Sequence, residues 1–218
     1  MIQINKGSEP VKWTEKKSTP NFTQYESITE LREALLEEQG YICAYCMRRI
    51  PAKDVNVDAT SKIEHIKSQV DRPDLQLNYA NMAICCPGNL NDEAHCDKLK
   101  GSRSVSFNLQ TATLQQSITY ASLDGSISSS NHIWNNEMNE ILNLNHGLLK
   151  ANRKEALSGI IDYLNAAGWT TQAINAKLNL WRQRNAEGKY FQFCGIVIWY
   201  LEKKLRAAHE HQHPKTLR

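Results

Sequence analysis

Ile28, Leu31 and Leu35 recur at helical spacing within "SITELREALLEEQG", and Gly40 closes the run. Ser27, followed three residues later by Glu30, has the form of a capping box, so a helix is expected to start there. Further along, "VNVDATSKIEHI" alternates and is rich in β-branched residues, which predicts a strand. "NYANMAICC" predicts a second, shorter strand. "NDEAHCDKLKG" predicts a short helix capped by Asn91 or Asp92 and stopped by Gly101. Residues 1–26 read as irregular, with a short strand at residues 2–4.

After residue 103 the composition shifts to Ser and Thr, and Asp124-Gly125 separates two strand-like runs. A β-hairpin that covers its neighbours is expected there. From Asn136 onward apolar residues return at helical spacing, enough for three or four helices. The three histidines of "HEHQHPKTLR" lie in what reads as a solvated, frayed end.

Length changes this picture little: 218 residues make one large domain or two small ones. The net charge of +3 permits a nucleic-acid partner without requiring one. No apolar run is long enough to span a membrane, and "MIQINKGSEP" has neither an apolar segment nor a cleavage site of the secretory kind. A cytoplasmic location is therefore expected, and with it reduced cysteines.

That expectation gives the cysteines their meaning. Cys43 and Cys46 form a C-x-x-C half-site. A second half can be drawn from Cys85, Cys86, His95 and Cys96. Structural zinc takes four N or S ligands in a closed tetrahedron. Cys86 and Cys96 are the expected pair, because adjacent strand side chains point apart and Cys85 cannot easily share an ion with Cys86. His95 in place of Cys96 is the alternative. Cys194, within "FQFCGIVIWYL", reads as a small core residue, and Trp181, Trp199, Tyr190 and Phe191 read mainly as core with some facing a partner.

Between and beside the half-sites lie Glu64-His65, then Asn81, then Cys96-Asp97-x-x-Lys100-Gly101. This order resembles the HNH endonuclease family in its zinc-bearing form. The N-terminal entry "LREALLEEQGYICAYC", the hairpin "YASLDGSI", "ILNLNHGLLKANR" and the closing "WYLEKKL" extend the likeness to the PtuB-like branch of that family, from Septu anti-phage systems and Septu-linked retrons. The resemblance implies an α+β fold. Residues 1–103 would form a zinc-clipped ββα-metal unit, 104–135 a β-hairpin flap or linker, and 136–218 a helical region for partner docking.

It also implies roles. His65 would be the general base and Asn81 the group orienting its ring. Asp97, with Glu64, would hold a catalytic Mg²⁺ or Mn²⁺. Glu64 stands where the family usually carries Asp, and it either contacts that metal or acts from behind it. Cys43, Cys46, Cys86 and Cys96 would hold the structural Zn²⁺. The implied partners are DNA, with RNA such as tRNA as the other substrate, a PtuA-like ABC-type ATPase, and a retron reverse transcriptase with its msDNA.

The chemistry agrees with such a use. A neutral imidazole can take a proton from water near physiological pH, and a hard cation on carboxylates can bind a phosphate oxygen. Lys98, Lys100 and Arg103, with Lys62 and Lys67, flank the centre and are expected to hold the phosphate backbone. The competing readings are a catalytically silent zinc-ribbon module that binds nucleic acid, and an adaptor whose helical half docks an ATPase.

Overall fold

The computed structural model describes residues 1–51, 60–90 and 93–212. Helix α1 (Val11–Lys17) buries one side chain, Trp13, which is fully enclosed. The sequence predicts no helix here, because Val11 and Trp13 are its only apolar residues and do not recur at helical spacing. Residues 2–4 form no strand; the Ile4 N–H instead donates to the Leu109 carbonyl at 2.8 Å.

Helix α2 (Thr29–Glu38) turns Leu31, Leu35 and Leu36 inward, as its spacing predicts. Its cap differs from expectation. Ile28 occupies the N-cap and no side chain caps the helix, so the Ser27–Glu30 box is not formed. Gln39 ends the helix and does more than terminate it. Its amide donates to the carbonyls of Ile42 and Ile84, and its Oε1 accepts from Ile84 N–H at 2.7 Å. One buried amide thereby joins α2, the turn that carries the first cysteine pair, and the strand beyond.

Two short antiparallel strands follow, β1 (Lys62–His65) and β2 (Met82–Cys85), in register Glu64 to Ala83 and His65 to Met82. The expected first strand began at Val55; residues 52–59 lie outside the described part, and the pairing itself is confined to four residues a side. Strands β3 (Asn89–Leu90) and β4 (Glu93–Ala94) form a second small hairpin, and helix α3 (Cys96–Lys100) follows it. The expected helix over 91–101 is thus shortened to begin at Cys96, while Gly101 stops it with φ 53°. The expected caps Asn91 and Asp92 lie outside the described residues.

Helix α4 (Ala112–Ser117) precedes the expected hairpin, β5 (Ile118–Tyr120) and β6 (Ile127–Ser129). Helix α5 (His132–Asn136) runs into a π-helical turn at Glu137–Ile141. Three longer helices close the chain: α6 (Gly147–Ala166), α7 (Thr171–Arg182) and α8 (Cys194–Gln212). The protein is therefore a mixture of helices with three two-stranded antiparallel sheets among the described residues.

The β5–β6 hairpin is fastened to α6 by a buried guanidinium. Arg153, 1 % exposed, donates to the Gly125 carbonyl at 2.6 Å and the Leu144 carbonyl at 2.7 Å. Gly125 sits at φ 76°, and a Cβ there would lie 2.2 Å from the Lys150 carbonyl oxygen, so the turn needs glycine for both its conformation and its closeness to α6. One hydrophobic core runs from Met1 and Trp13 through Ile84 and Phe107 to Leu149 and Leu201. Cys194 is buried in it, as expected. Phe191, stacked on Trp181 at 4.6 Å, is 37 % exposed and faces solvent. No described helix is long and apolar enough to cross a membrane.

Candidate metal centre and the adjoining cleft

Three segments bring four cysteines together. The turn after α2 carries Cys43 and Cys46, tied by the Met47 N–H to the Cys43 carbonyl. Cys86 follows the end of β2, and Cys96 opens α3. All four are buried, and their sulfurs lie within 4.8 Å of one another. Cys46 and Cys86 sulfurs are 3.7 Å apart, and Cys43 and Cys96 sulfurs 3.9 Å. A tetrahedron with bonds of about 2.3 Å to each sulfur has edges of about 3.8 Å. The cluster is thus sized for a tetrahedral ion and too open for disulfides, and it could hold a metal such as zinc.

Cys96 takes φ 47°, which L side chains rarely adopt. The chain accepts it where the sulfur must turn toward the other three. Cys85 is buried but outside the quartet, as alternation along a strand requires. His95 is also outside it. Its ring is fully buried beside His146, with neither nitrogen bonded, and burial lowers its pKa to about 4.

Next to the cysteines is a cleft of about 240 Å³, lined by Glu64, His65, Ser68, Asp97, Lys100 and neighbours. Glu64, His65, Asp97 and Lys100, which span thirty-seven positions of the sequence, therefore share one cavity. Neighbouring side chains within a strand point to opposite faces, but β1 ends at His65, so Glu64 and His65 can both reach the cleft. Glu64 points toward α3 while the imidazole reaches into the loop beyond the strand.

His65 Nε2 lies 2.9 Å from the Gln76 carbonyl oxygen. A carbonyl can only accept, so Nε2 carries the proton and Nδ1 keeps the lone pair. Burial lowers the His65 pKa, the Gln76 bond raises it and Lys100 lowers it further, so the ring is neutral at physiological pH. The Tyr25 ring meets the imidazole edge-on, with centroids 4.6 Å apart. The segment bearing Tyr25 is itself bonded to the loop: Tyr25 N–H donates to Gln76 Oε1 at 3.2 Å, and the Gln76 amide donates to the Thr23 carbonyl at 3.0 Å.

Asn81 does not do what was expected of it. Its Oδ1 accepts from Lys67 N–H at 2.8 Å and its amide donates to the Lys67 carbonyl at 2.9 Å. It closes the loop between β1 and β2 and leaves the imidazole to the Gln76 carbonyl. The orienting group is a backbone atom, which no side-chain pattern can mark.

Glu64 is 4 % exposed. Its Oε1 is 2.5 Å from Lys100 Nζ and accepts from the Tyr45 hydroxyl at 3.1 Å. Burial pushes its pKa up to about 8; Lys100 pulls it down and the neighbouring Asp97 pushes it up. Two carboxyl groups thus lie side by side, with the Lys100 ammonium on Glu64, an arrangement short of positive charge.

The cations also differ from expectation. Lys100 is 2 % exposed and is used on Glu64 and the His65 carbonyl. Arg103 donates to the carbonyls of Leu99, Lys100, Glu140 and Ile141, which fastens α3 to the π-helical turn. Lys67 donates to the Val105 carbonyl at 2.5 Å. Of Lys98, Lys100 and Arg103, Lys98 is the one that is exposed and has no bond to a backbone or carboxylate group among the described residues. Among known proteins, no family model and no curated sequence matches this chain.

Proposed function

We propose that the protein is a metal-dependent endonuclease of the HNH type, with a structural zinc ion on Cys43, Cys46, Cys86 and Cys96 and a hydrolytic centre in the adjoining cleft. The observation that carries this reading is the neutral His65 ring, fixed by a carbonyl on Nε2, in one cleft with Glu64 and Asp97. A binding module has no use for a histidine held in one tautomer beside a pair of crowded carboxyl groups.

Glu64 and Asp97 fit a hard divalent cation, since they are oxygen donors with a deficit of positive charge. Glu64 and Asp97 would hold such a cation, which would supply positive charge against the phosphate and the leaving group. His65 Nδ1 takes a proton from the attacking water, whose oxygen bonds to phosphorus as the P–O3′ bond breaks. The products are a 5′-phosphate and a 3′-hydroxyl. Asn81 acts by keeping the loop closed so that Gln76 can hold the ring. Lys100 acts on Glu64, and Lys98 is left to meet the phosphate backbone.

Resemblance supports the wider setting: an effector of an anti-phage defence complex with an ABC-type ATPase, acting on DNA first and structured RNA second. The test is cleavage of both nucleic acids by the purified chain with and without Mn²⁺, and with its ATPase partner. His65→Ala is expected to lower the rate by about 10²–10⁴-fold with zinc content unchanged. Products ending in a 2′,3′-cyclic phosphate, or cleavage indifferent to His65, would exclude this mechanism.

A further inference from the structure

The cysteine centre and the cleft are joined by one side chain. Tyr45 lies between Cys43 and Cys46 in the C-x-x-C turn, is 1 % exposed, and packs edge-on against Phe107 at 6.4 Å. Its hydroxyl leaves the cysteine side and donates to Glu64 Oε1. Lys100 occupies the same oxygen. One oxygen of Glu64 is thus held by two donors from opposite sides, the cysteine turn and α3. The carboxyl also lies within hydrogen-bonding reach of Asp97, and these two groups are the carboxyl oxygens that the cleft offers a cation.

We propose that Tyr45 is a positioning residue that orients Glu64 for the cleft's divalent cation, so that the cysteine centre sets how well the cleft binds metal. The inference rests on the hydrolytic reading of the cleft. Its physical basis is rigidity. A turn whose two cysteines are fixed on one ion has little freedom left at the residues between them, and Tyr45 passes that fixed position to Glu64 through a buried hydrogen bond. A free carboxylate at that place would have to be ordered by the arriving cation itself, at a cost in affinity. Closure of the cysteine centre then becomes a precondition for the cleft, and the two sites are coupled without sharing a ligand.

Tyr45→Phe removes a single oxygen and keeps the ring on Phe107. The experiment titrates Mn²⁺ into the full zinc-loaded chain and counts bound ion by electron paramagnetic resonance, with zinc content and melting read on the same samples. Tyr45→Phe is expected to keep about one zinc per chain and to weaken Mn²⁺ binding about tenfold, the usual effect of losing a hydrogen bond to a charged group. In a Glu64→Gln background the same change should cost less than about twofold, because a residue acting through Glu64 has nothing further to act on. Equal Mn²⁺ affinity in the wild type and Tyr45→Phe overturns the proposal and leaves the cleft's metal reading intact. An undiminished loss in the Glu64→Gln background overturns it too, since Tyr45 would then act by another route. No Mn²⁺ binding by any of the proteins removes the hydrolytic reading and this inference together.

Discussion

Tyr25→Ala probes the support behind His65. Tyr25 lies in the N-terminal arm, far in sequence from the cleft residues, and meets the imidazole edge-on at 4.6 Å between centroids with an interplanar angle of 85°. It is held in turn by Trp13, whose indole N–H donates to the Leu77 carbonyl next to Gln76. An aromatic pair of this geometry contributes about 0.5–1.5 kcal/mol beyond area burial. If that energy orients the ring for proton transfer, its loss lowers the rate by about 2- to 10-fold. Tyr25→Phe retains the ring and should stay within about twofold of wild type. The assay is single-turnover cleavage at saturating substrate, read beside the ¹⁵N shifts of His65, which report the tautomer. In the wild type the proton sits on Nε2; in Tyr25→Ala the ring should show both tautomers. An unchanged rate, a loss equal in the Phe and Ala variants, or an effect confined to KM would refute the role assigned to Tyr25.

Cys86→Ser should yield protein without zinc and largely unfolded, measured by elemental analysis and circular dichroism. A structural zinc site contributes about 10–16 kcal/mol in small domains, as much as a typical domain's whole stability. Gly125→Ala should destabilise by about 3 kcal/mol, from a left-handed conformation forced on alanine and a backbone clash beside the Arg153 bond. For a chain of this size the melting temperature should fall by about 6–12 °C, and a shift under about 2 °C would refute the packing argument.

The cysteine quartet was legible in the sequence because metal chemistry restricts both residue type and spacing, and because alternation along β2 separates Cys86 from Cys85. The long C-terminal helices were legible because α6, α7 and α8 are longer than any irregularity in their apolar spacing. What escaped reading has a common cause, namely contacts made by backbone atoms or by residues without a pattern of their own. Gln76 works through its carbonyl. Trp13 and Tyr25 come from a segment with no periodicity. Asn81 was placed on the correct loop and given the wrong partner, since spacing fixes a residue's position but not the direction of its amide. Lys100 misled for another reason: lysine is rarely buried, so a surface role is the default. The signal available was its place three residues after Asp97, on the same face of α3.

Buried and occupied cations have a measurable consequence for substrate binding. The sequence places Lys62, Lys67, Lys98, Lys100 and Arg103 around the cleft, and five phosphate contacts would make affinity fall steeply with salt, with a logarithmic slope of about −4 to −5 on duplex DNA. In the structure Lys67, Lys100 and Arg103 are held by carbonyls or by Glu64, and Lys62 also interacts within the chain. Lys98, exposed on α3, remains for the backbone. The chain alone should therefore bind nucleic acid weakly, with a slope of about −1 to −2 between 50 and 200 mM salt. Lys98→Ala should remove about one unit of that slope, while Arg103→Ala should leave it unchanged and lower stability instead. Most of the phosphate contacts would then have to come from another protein, and if the proposed ATPase partner supplies them, adding it should steepen the slope by several units. Fluorescence anisotropy over a salt series measures all of these. A slope of −4 or steeper for the isolated chain would refute the reading, because it would require the engaged cations to leave the partners that hold α3 and the β1–β2 loop in place.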